Sequence, residues 1–534
     1  MISRSIDLLA PIKIRNQVTK QQFKLEHIEF DELIERLQKS VPIQCESEHV
    51  VNRTYYDSFD WRLYRAGYHL SVIPVDDIFI LSLGMLTGIT PDVSVQLNAL
   101  PRFVWDLPIS SKLRQPLEDT LEMRALLPQT TIETICRPVR VLNTDKKTVV
   151  RINIEEYRIP IPESEKVKTL ASTLYVYPVK GYPTPLKKVT SLLTGKFKLS
   201  PVKDNLLDRS LFALGRQVTD YSSKLNISLD PTMRADSATK IVLRHLLTSI
   251  RVNAPGVLAD IDSEFLHDYR VAIRRTRSAL SQIKNVFTDD VVDTFASEFA
   301  WLGRITSPTR DLDVYLLKFD TYKSALPPAT RDDLNPLGEF IRSRQKLEHQ
   351  RMVESLKSSR YQQLIQQWTE FLASPLPEHP IQPNAILPIG TLANKRIWRL
   401  YKRVLKEGGV ITPTTPAVHL HELRKTCKKL RYLIEFFQSL YSKKKIKANI
   451  QTLKELQDNL GDFQDFEVQE TTLKEFGEEM LKAGETPAKT LLAMGILVQN
   501  LDQRRQDARS EFAVRYTEFA SKAHQAQFKE LFAA

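Results

Sequence analysis

Cysteine is scarce in this chain: Cys45, Cys136 and Cys427 are the only three, far apart and odd in number. Neither a disulfide framework nor a zinc-ligand spacing can be assembled from them, which fits a reducing cytosol. No run of about 20 apolar residues occurs, so no membrane-spanning helix and no membrane partner are expected. The opening stretch, MISRSIDLLAPIKIRNQ, has a short apolar patch but lacks the apolar core and cleavage site of a secretion signal. A soluble cytoplasmic protein is expected. Charge is one-sided only to a moderate degree. Lys and Arg outnumber Asp and Glu by 76 to 64, a formal +12. That excess favours acidic partners without choosing among nucleic acid, a membrane surface and a phosphate polymer.

What is present suffices for a globular protein of several units. The 534 residues are 42% apolar and 8% aromatic, too long for one ordinary domain and ample for buried cores. Up to about residue 220 the texture is α+β. Val72–Pro74, Ile78–Leu83, Val93–Leu97, Thr148–Ile154 and Leu174–Val179 read as strands, and Asn143-Thr144-Asp145-Lys146 as a hairpin turn. Phe30–Gln38 and Leu117–Leu126 read as helices. After Asp230-Pro231 the strand patterns stop and amphipathic helices run to the end. Five prolines between Ser374 and Ile389 (Pro375, Pro377, Pro380, Pro383 and Pro388) mark a linker. The expected division is residues 1–220 and 235–534, the second holding one repeat at 235–374, the linker at 375–388 and another repeat at 389–534.

The repeat is visible residue by residue. H-D-Y-R-V-A-I-R-R-T-R from His267 to Arg277 matches H-E-L-R-K-T-C-K-K-L-R from His421 to Arg431, each pair 154 positions apart. The offset carries on through Leu280, Ile283, Val286 and Phe287 onto Ile434, Phe437, Leu440 and Tyr441. It then places Asp311-Leu312-Asp313-Val314 on Asp465-Phe466-Glu467-Val468. A period this long excludes a solenoid and makes each copy a helical bundle. At about 100° per residue, His267, Arg270, Arg274 and Arg277 share an arc of roughly 80°, turned away from Tyr269, Leu280, Ile283 and Phe287. His421, Arg424, Lys428 and Arg431 repeat it, with Thr415-Pro416 as the expected helix start.

A lone basic stripe is ordinarily a solvated face. Packing, however, demands recurrence only of the apolar positions, and like charges at i, i+3 and i+4 mildly destabilise a helix. Keeping them in both copies calls for an anionic ligand. Arginine donates paired hydrogen bonds to phosphate, lysine adds a point charge, and histidine can gain charge beside a phosphate. The candidate binding residues are therefore His267, Arg270, Arg274, Arg275, Arg277, His421, Arg424, Lys428, Lys429 and Arg431. Lys395, Arg399 and Arg403 join them from the preceding helix, where the first copy offers only Lys240 and Arg244. Asp311, Asp313, Asp465 and Glu467 are read as supports that hold the arginines, rather than as Mg²⁺ ligands. No catalytic base or metal cage accompanies the stripes.

The H-x-x-R-x-x-x-[RK]-[RK]-x-R helix, with R-D-L-D-V after the first copy and L-G-D-F-Q-D-F-E-V after the second, resembles the CHAD (conserved histidine α-helical domain) family from about Ala235 onward. The resemblance implies two pseudo-symmetric helical bundles facing each other across a basic groove. It also implies binding of inorganic polyphosphate, on polyphosphate granules. Ser307 stands where the family often has glycine, which Gly461 keeps in the second copy.

In the N-terminal half, Y-Y-D-S-F-D-W-R-L-Y-R-A-G-Y-H-L from Tyr55 to Leu70 resembles part of the CYTH family, antiparallel barrels that process triphosphates with a divalent metal. The L-R-x-R that should follow is replaced by Leu70-Ser71-Val72-Ile73, and Lys24-Leu25-Glu26-His27-Ile28-Glu29 does not fit E-x-E-x-K. Metal-assisted phosphoryl chemistry needs those carboxylates and cations. A degenerate, non-catalytic barrel is expected, with no cofactor unless it retains activity and Mg²⁺. Arg151, Asn153 and Glu155, alternating on one strand, are expected to line a solvated barrel. The leading expectation is thus a polyphosphate-binding protein. A triphosphatase or cyclase in the barrel is the alternative; a nucleic-acid binder is the third, though the stripes lack interleaved aromatics.

Overall fold

The computed structural model describes residues 21–26, 28–87, 93–202, 204–484 and 486–533. The opening apolar patch and His27 lie outside the described residues. The chain divides into two compact units, Met1–Ser222 and Ser223–Ala534.

The first unit is a ten-stranded antiparallel sheet built from β1 (Gln21–Leu25), β2 (Ile43–Cys45), β3 (His49–Asp57), β4 (Tyr68–Val75) and β5 (Ile78–Met85). β6 (Val93–Leu97), β7 (Leu127–Leu142), β8 (Thr148–Pro160), β9 (Val167–Pro178) and β10 (Ser200–Pro201) complete it. The strand order is β10-β1-β9-β8-β7-β3-β4-β5-β6, with β2 also pairing β7. This corrects the expected barrel: the sheet is open, and among the described residues its two ends do not pair. The ends are poor partners. β10 has two residues, and its Pro201 has no N–H to donate, while β6 has only five. The Asn143 turn is as read, with Lys147 N donating to Asn143 Oδ1 at 2.8 Å and Lys146 at φ 59°.

Helices α1 (Phe30–Gln38), α2 (Arg62–Arg65), α3 (Arg114–Leu121), α4 (Pro183–Ser191) and α5 (Leu206–Ala213) accompany the sheet. α3 stops short of Leu126 because Glu122 turns to φ 52°. Leu33 and Leu37 of α1 and Val189 of α4 pack on Val139, Val150, Ile152 and Val176. Every second residue of β8 from Val150 to Ile154 is therefore buried on that face.

The second unit is all helix: α6 (Ala235–Leu258), α7 (Ser263–Gln282), α8 (Asp289–Ile305), α9 (Ser307–Leu317), α10 (Phe319–Ser324), α11 (Asn335–Lys357) and α12 (Ser359–Ala373). After the linker come α13 (Ile389–Gly408), α14 (Ala417–Phe437), α15 (Lys443–Lys482), α16 (Ala488–Phe519) and α17 (Lys522–Phe532). Adding 154 to the first residues of α6, α7 and α8 gives 389, 417 and 443, the first residues of α13, α14 and α15. α8 and α9 break at Thr306, whereas their counterpart α15 runs through as one helix. The expected Thr415 cap is not made. α14 starts after Pro416, and the Thr415 hydroxyl instead accepts from Thr412 N at 2.8 Å.

The two copies are joined by bonds that obey the same offset. Ala235 N donates to Leu387 O and Ile389 N to Met233 O; Asp236 N donates to Ala385 O and Gly390 N to Pro231 O. These reciprocal pairs define a pseudo-two-fold axis. They also satisfy N–H groups that a helix start leaves without partners. A shared core reinforces the joint: Leu312, Tyr315, Phe319 and Ile341 of the first copy pack with Leu473, Phe476, Met494 and Leu497 of the second.

Lys240 and Arg244, counted above among the basic residues, serve the fold. Lys240 Nζ donates to Phe371 O at 2.7 Å and Ser374 O at 2.8 Å, and Arg244 donates to Leu372 O at 2.7 Å. Both meet the open carbonyls and negative end of α12. Lys240→Ala should destabilise the helical unit by about 2 kcal/mol through buried unpaired carbonyls, seen as an earlier unfolding transition, with anion affinity unchanged.

Candidate functional site

The motif helices α7 and α14 pack against each other, and this places their cations together. Asp262 caps α7, accepting from Glu264 N and Phe265 N. From there Leu266, Tyr269, Ile273 and Leu280 are buried, matched in α14 by Leu420, Leu423, Cys427 and Ile434. With those faces fixed inward, Arg274 and Lys428, which share one repeat position, meet at the axis. Burial pushes the Lys428 ammonium down to about 8, and Arg424 and Arg274 beside it push the same way. Asp311 and Asp465, also equivalent by the offset, sense one another there.

The stripe drawn on the helical wheel is not uniform. Arg274 and Arg277 are exposed, but Arg270 is only 9% exposed. Its guanidinium donates to Gly303 O at 3.0 Å, Thr306 Oγ1 at 2.8 Å and Ser307 Oγ at 2.9 Å. Arg270 therefore ties the α8–α9 corner, where Ser307 replaces the family's glycine. Burial holds its pKa down to about 10. Arg424, its equivalent, pairs with Asp465 at 3.0 Å. Asp313 is buried and accepts from Gln345 Nε2 at 3.0 Å; burial raises its carboxyl to about 6. Glu467 accepts weakly from Gln464 at 3.4 Å.

The two histidines have equivalent neighbours of different chemistry. Arg310 Nη2 lies 3.1 Å from His267 Nδ1, and His421 Nδ1 is bonded to Gln464 Oε1. An arginine can only donate, so His267 accepts at Nδ1 and carries its proton on Nε2, while His421 donates from Nδ1. Arg310 escaped the sequence reading although it opens R-D-L-D-V; its signal was the motif itself. Glu435, one helical turn past Arg431, is not among the residues the motif singled out. It bridges the copies, accepting from Arg275 at 2.7 Å through one oxygen and from Arg431 at 2.8 Å through the other. Two of the candidate cations, Arg275 and Arg431, thus share one carboxylate that offsets half of their charge. Lys395, Arg399 and Arg403 are exposed on α13, Arg403 paired with Glu407 and Lys429 half-buried.

With this geometry described, comparison with known proteins places it. Residues 241–474 match the family model of the CHAD domain. The helical unit contains a CHAD domain. Among solved structures the chain is similar to the CHAD domain from the plant Ricinus communis, at 24% identity over 56% of this chain and 96% of that one, TM-score 0.46. It is also similar to PptA from Streptomyces chartreusis, at 15% identity over 53% and 99%, TM-score 0.42. No curated protein matches. No helix among the described residues is long and apolar enough to cross a membrane.

In the sheet unit, the residues that suggested a CYTH likeness serve a turn. Asp57 is buried and accepts from Ser58, Leu63 and Tyr64 N–H groups at 2.7–2.9 Å. Asp60 holds Arg62 at 3.1 Å and the buried Arg124 at 3.3 Å. Nor is the β8 trio simply solvated. Arg151 is exposed, but Glu155 accepts from Asn153 at 2.8 Å and Tyr157 at 3.0 Å and faces Arg53, Tyr175 and Tyr177. By the two-residue period of the strand, Tyr157 falls on the same face as Asn153 and Glu155. Among the described residues no group of three or more His, Cys, Asp or Glu is placed to hold a metal ion.

The depressed Lys428 gives a signed expectation. Between about pH 8 and 10.5 the folded chain binds fewer protons here than the unfolded chain, so stability should rise with pH across that window. Lys428→Met should raise stability at pH 7 and remove that rise, measured by thermal unfolding at pH 7 to 10.

Proposed function

We propose that the CHAD unit binds inorganic polyphosphate across the pseudo-two-fold axis, with Arg274 and Lys428 at the centre. The observation that carries this is the crowding of like charge: Lys428 sits half-buried between Arg424 and Arg274, and its ammonium is held well below the usual lysine range. Cations are kept so close at a cost to folding, and an anionic ligand lifts that cost. A flexible polymer with one charge per unit suits two equivalent faces better than a shaped, base-reading surface does. Arg424 and Arg277 flank the centre. Arg270, Arg310, Asp311, Asp313 and Asp465 position it, with Glu467 beside Gln464. The sheet unit is read as a degenerate CYTH-like domain with no catalytic role, and the protein as one carried on polyphosphate granules in the cytoplasm.

Long-chain polyphosphate titrated into the full chain over a salt series tests the reading. Wild type should bind with an affinity that falls steeply with salt. Arg274→Ala/Lys428→Ala should lose about 100-fold, with a slope shallower by roughly one to two, for two phosphate contacts removed. Wild-type affinity should also weaken as pH rises past about 8, since free Lys428 sheds its proton there and the bound polymer needs it charged. Equal binding by both proteins, or tighter binding of RNA or DNA than of polyphosphate, would sink it. Phosphate release from triphosphate with added Mg²⁺ would move attention to the sheet.

A further inference from the structure

The axis relates the two copies, yet the charges on its two sides differ. On one side Glu435 pairs with both Arg275 of α7 and Arg431 of α14, offsetting one of their two charges. The position equivalent to Glu435 is Ser281, since 435 − 281 = 154. On the Ser281 side, Lys429 stands in the place of Arg275 and Arg277 in that of Arg431, with no carboxylate between them. Neither forms an ion pair among the described residues. Glu422, two turns before Lys429, senses it but is bonded to Lys425 at 2.9 Å.

Coverage differs in the same sense. On the Glu435 side, Ser223 O accepts from Arg275 at 3.1 Å, the Lys224 backbone bonds His245, and Leu225 O accepts from Gln438 at 3.2 Å. The segment 223–225 lies over the cations there. Its equivalent, Pro377-Glu378-His379, is exposed, and Pro377 O is taken by Arg234 at 2.9 Å instead. The Ser281 side has no such cover from the linker. The equivalent of His245 is Arg399, which is exposed. Arg396 donates to Gln282 O at 2.7 Å, next to Ser281; burial lowers its guanidinium pKa, and the nearby Arg399 pushes the same way. On this side Arg277 and Arg399 are exposed and Lys429 and Arg396 half-buried, and none of the four forms an ion pair among the described residues.

We infer that bound polyphosphate leaves the axis on the Ser281 side alone, running over Arg277, Lys429 and Arg399, while Glu435 and the segment 223–225 close the mirror path. This rests on polyphosphate binding at the axis, and it gives the polymer a direction that the repeat by itself would not. Charges on the two sides were equivalent in the duplicated motif; one carboxylate and one covering segment make them unequal.

The test measures long-chain polyphosphate affinity of the full chain for three variants beside wild type: Ser281→Glu, Lys429→Ala/Arg399→Ala, and Lys425→Ala. The last removes one exposed lysine of the same helix outside the tract, and thermal unfolding checks that all are folded. Ser281→Glu installs the carboxylate that the mirror side already has. It and the double variant should each lose about tenfold or more, with salt slopes shallower by roughly one, while Lys425→Ala stays within about twofold. If Ser281→Glu and the double variant behave like Lys425→Ala while Arg274→Ala/Lys428→Ala still abolishes binding, the one-sided path is wrong and the central site stands. If wild type does not bind polyphosphate at all, both readings fall together.

Discussion

Four backbone hydrogen bonds, in two pairs related by the 154-residue offset, bind the start of α6 to the linker and the start of α13 to the segment before α6. Helix N-termini carry N–H groups that must find partners, and here each copy supplies the other's. That exchange fixes the axis. With α6 and α13 set, α7 and α14 come face to face, and Arg274 and Lys428 come near enough to feel one another's charge. The shared core of α9 to α11 with α15 and α16 holds the arrangement from below. Neither copy could present this centre alone.

The centre is expensive to keep. Burial and neighbouring arginines work against the Lys428 ammonium, and Arg270 is held by a corner that uses its donors on Gly303, Thr306 and Ser307. Glu435 limits the cost on one side by pairing with two arginines at once, one from each copy. The duplication supplied matched charges, and departures from symmetry then decided which remain open. Pro308 against Asp462 is one departure: the proline breaks the helix in the first copy where the second runs on. Ser281 against Glu435 is another.

The sheet unit follows a different logic. Its helices cover one face of β7 to β9 with aliphatic residues, while the other face of β8 carries Glu155 among Arg53 and tyrosines. Burial opposes the Arg53 guanidinium, but Tyr55 and Glu155 keep it charged. The polar groups there bond chiefly to one another, which is why a row that alternates like a solvated wall in the sequence becomes a closed network in the fold.

The amino-acid sequence by itself determined the two textures, the repeat with its offset, most strand positions and the identity of the cationic helices. Periodicity and turn chemistry are local, and an internal copy supplies its own control. Three things were decided only by tertiary structure. Whether the sheet closes depends on how its end strands meet, and a two-residue β10 ending in Pro201 leaves it open. Whether an arginine on a basic stripe is free depends on its neighbours from other helices. Arg270, Arg275 and Arg431 are basic motif residues like Arg274, yet each is tied to a corner or a carboxylate. Which side of the axis is open depends on where the segments 223–225 and 377–379 run. No helix period records that, because their contacts lie far from them in the chain.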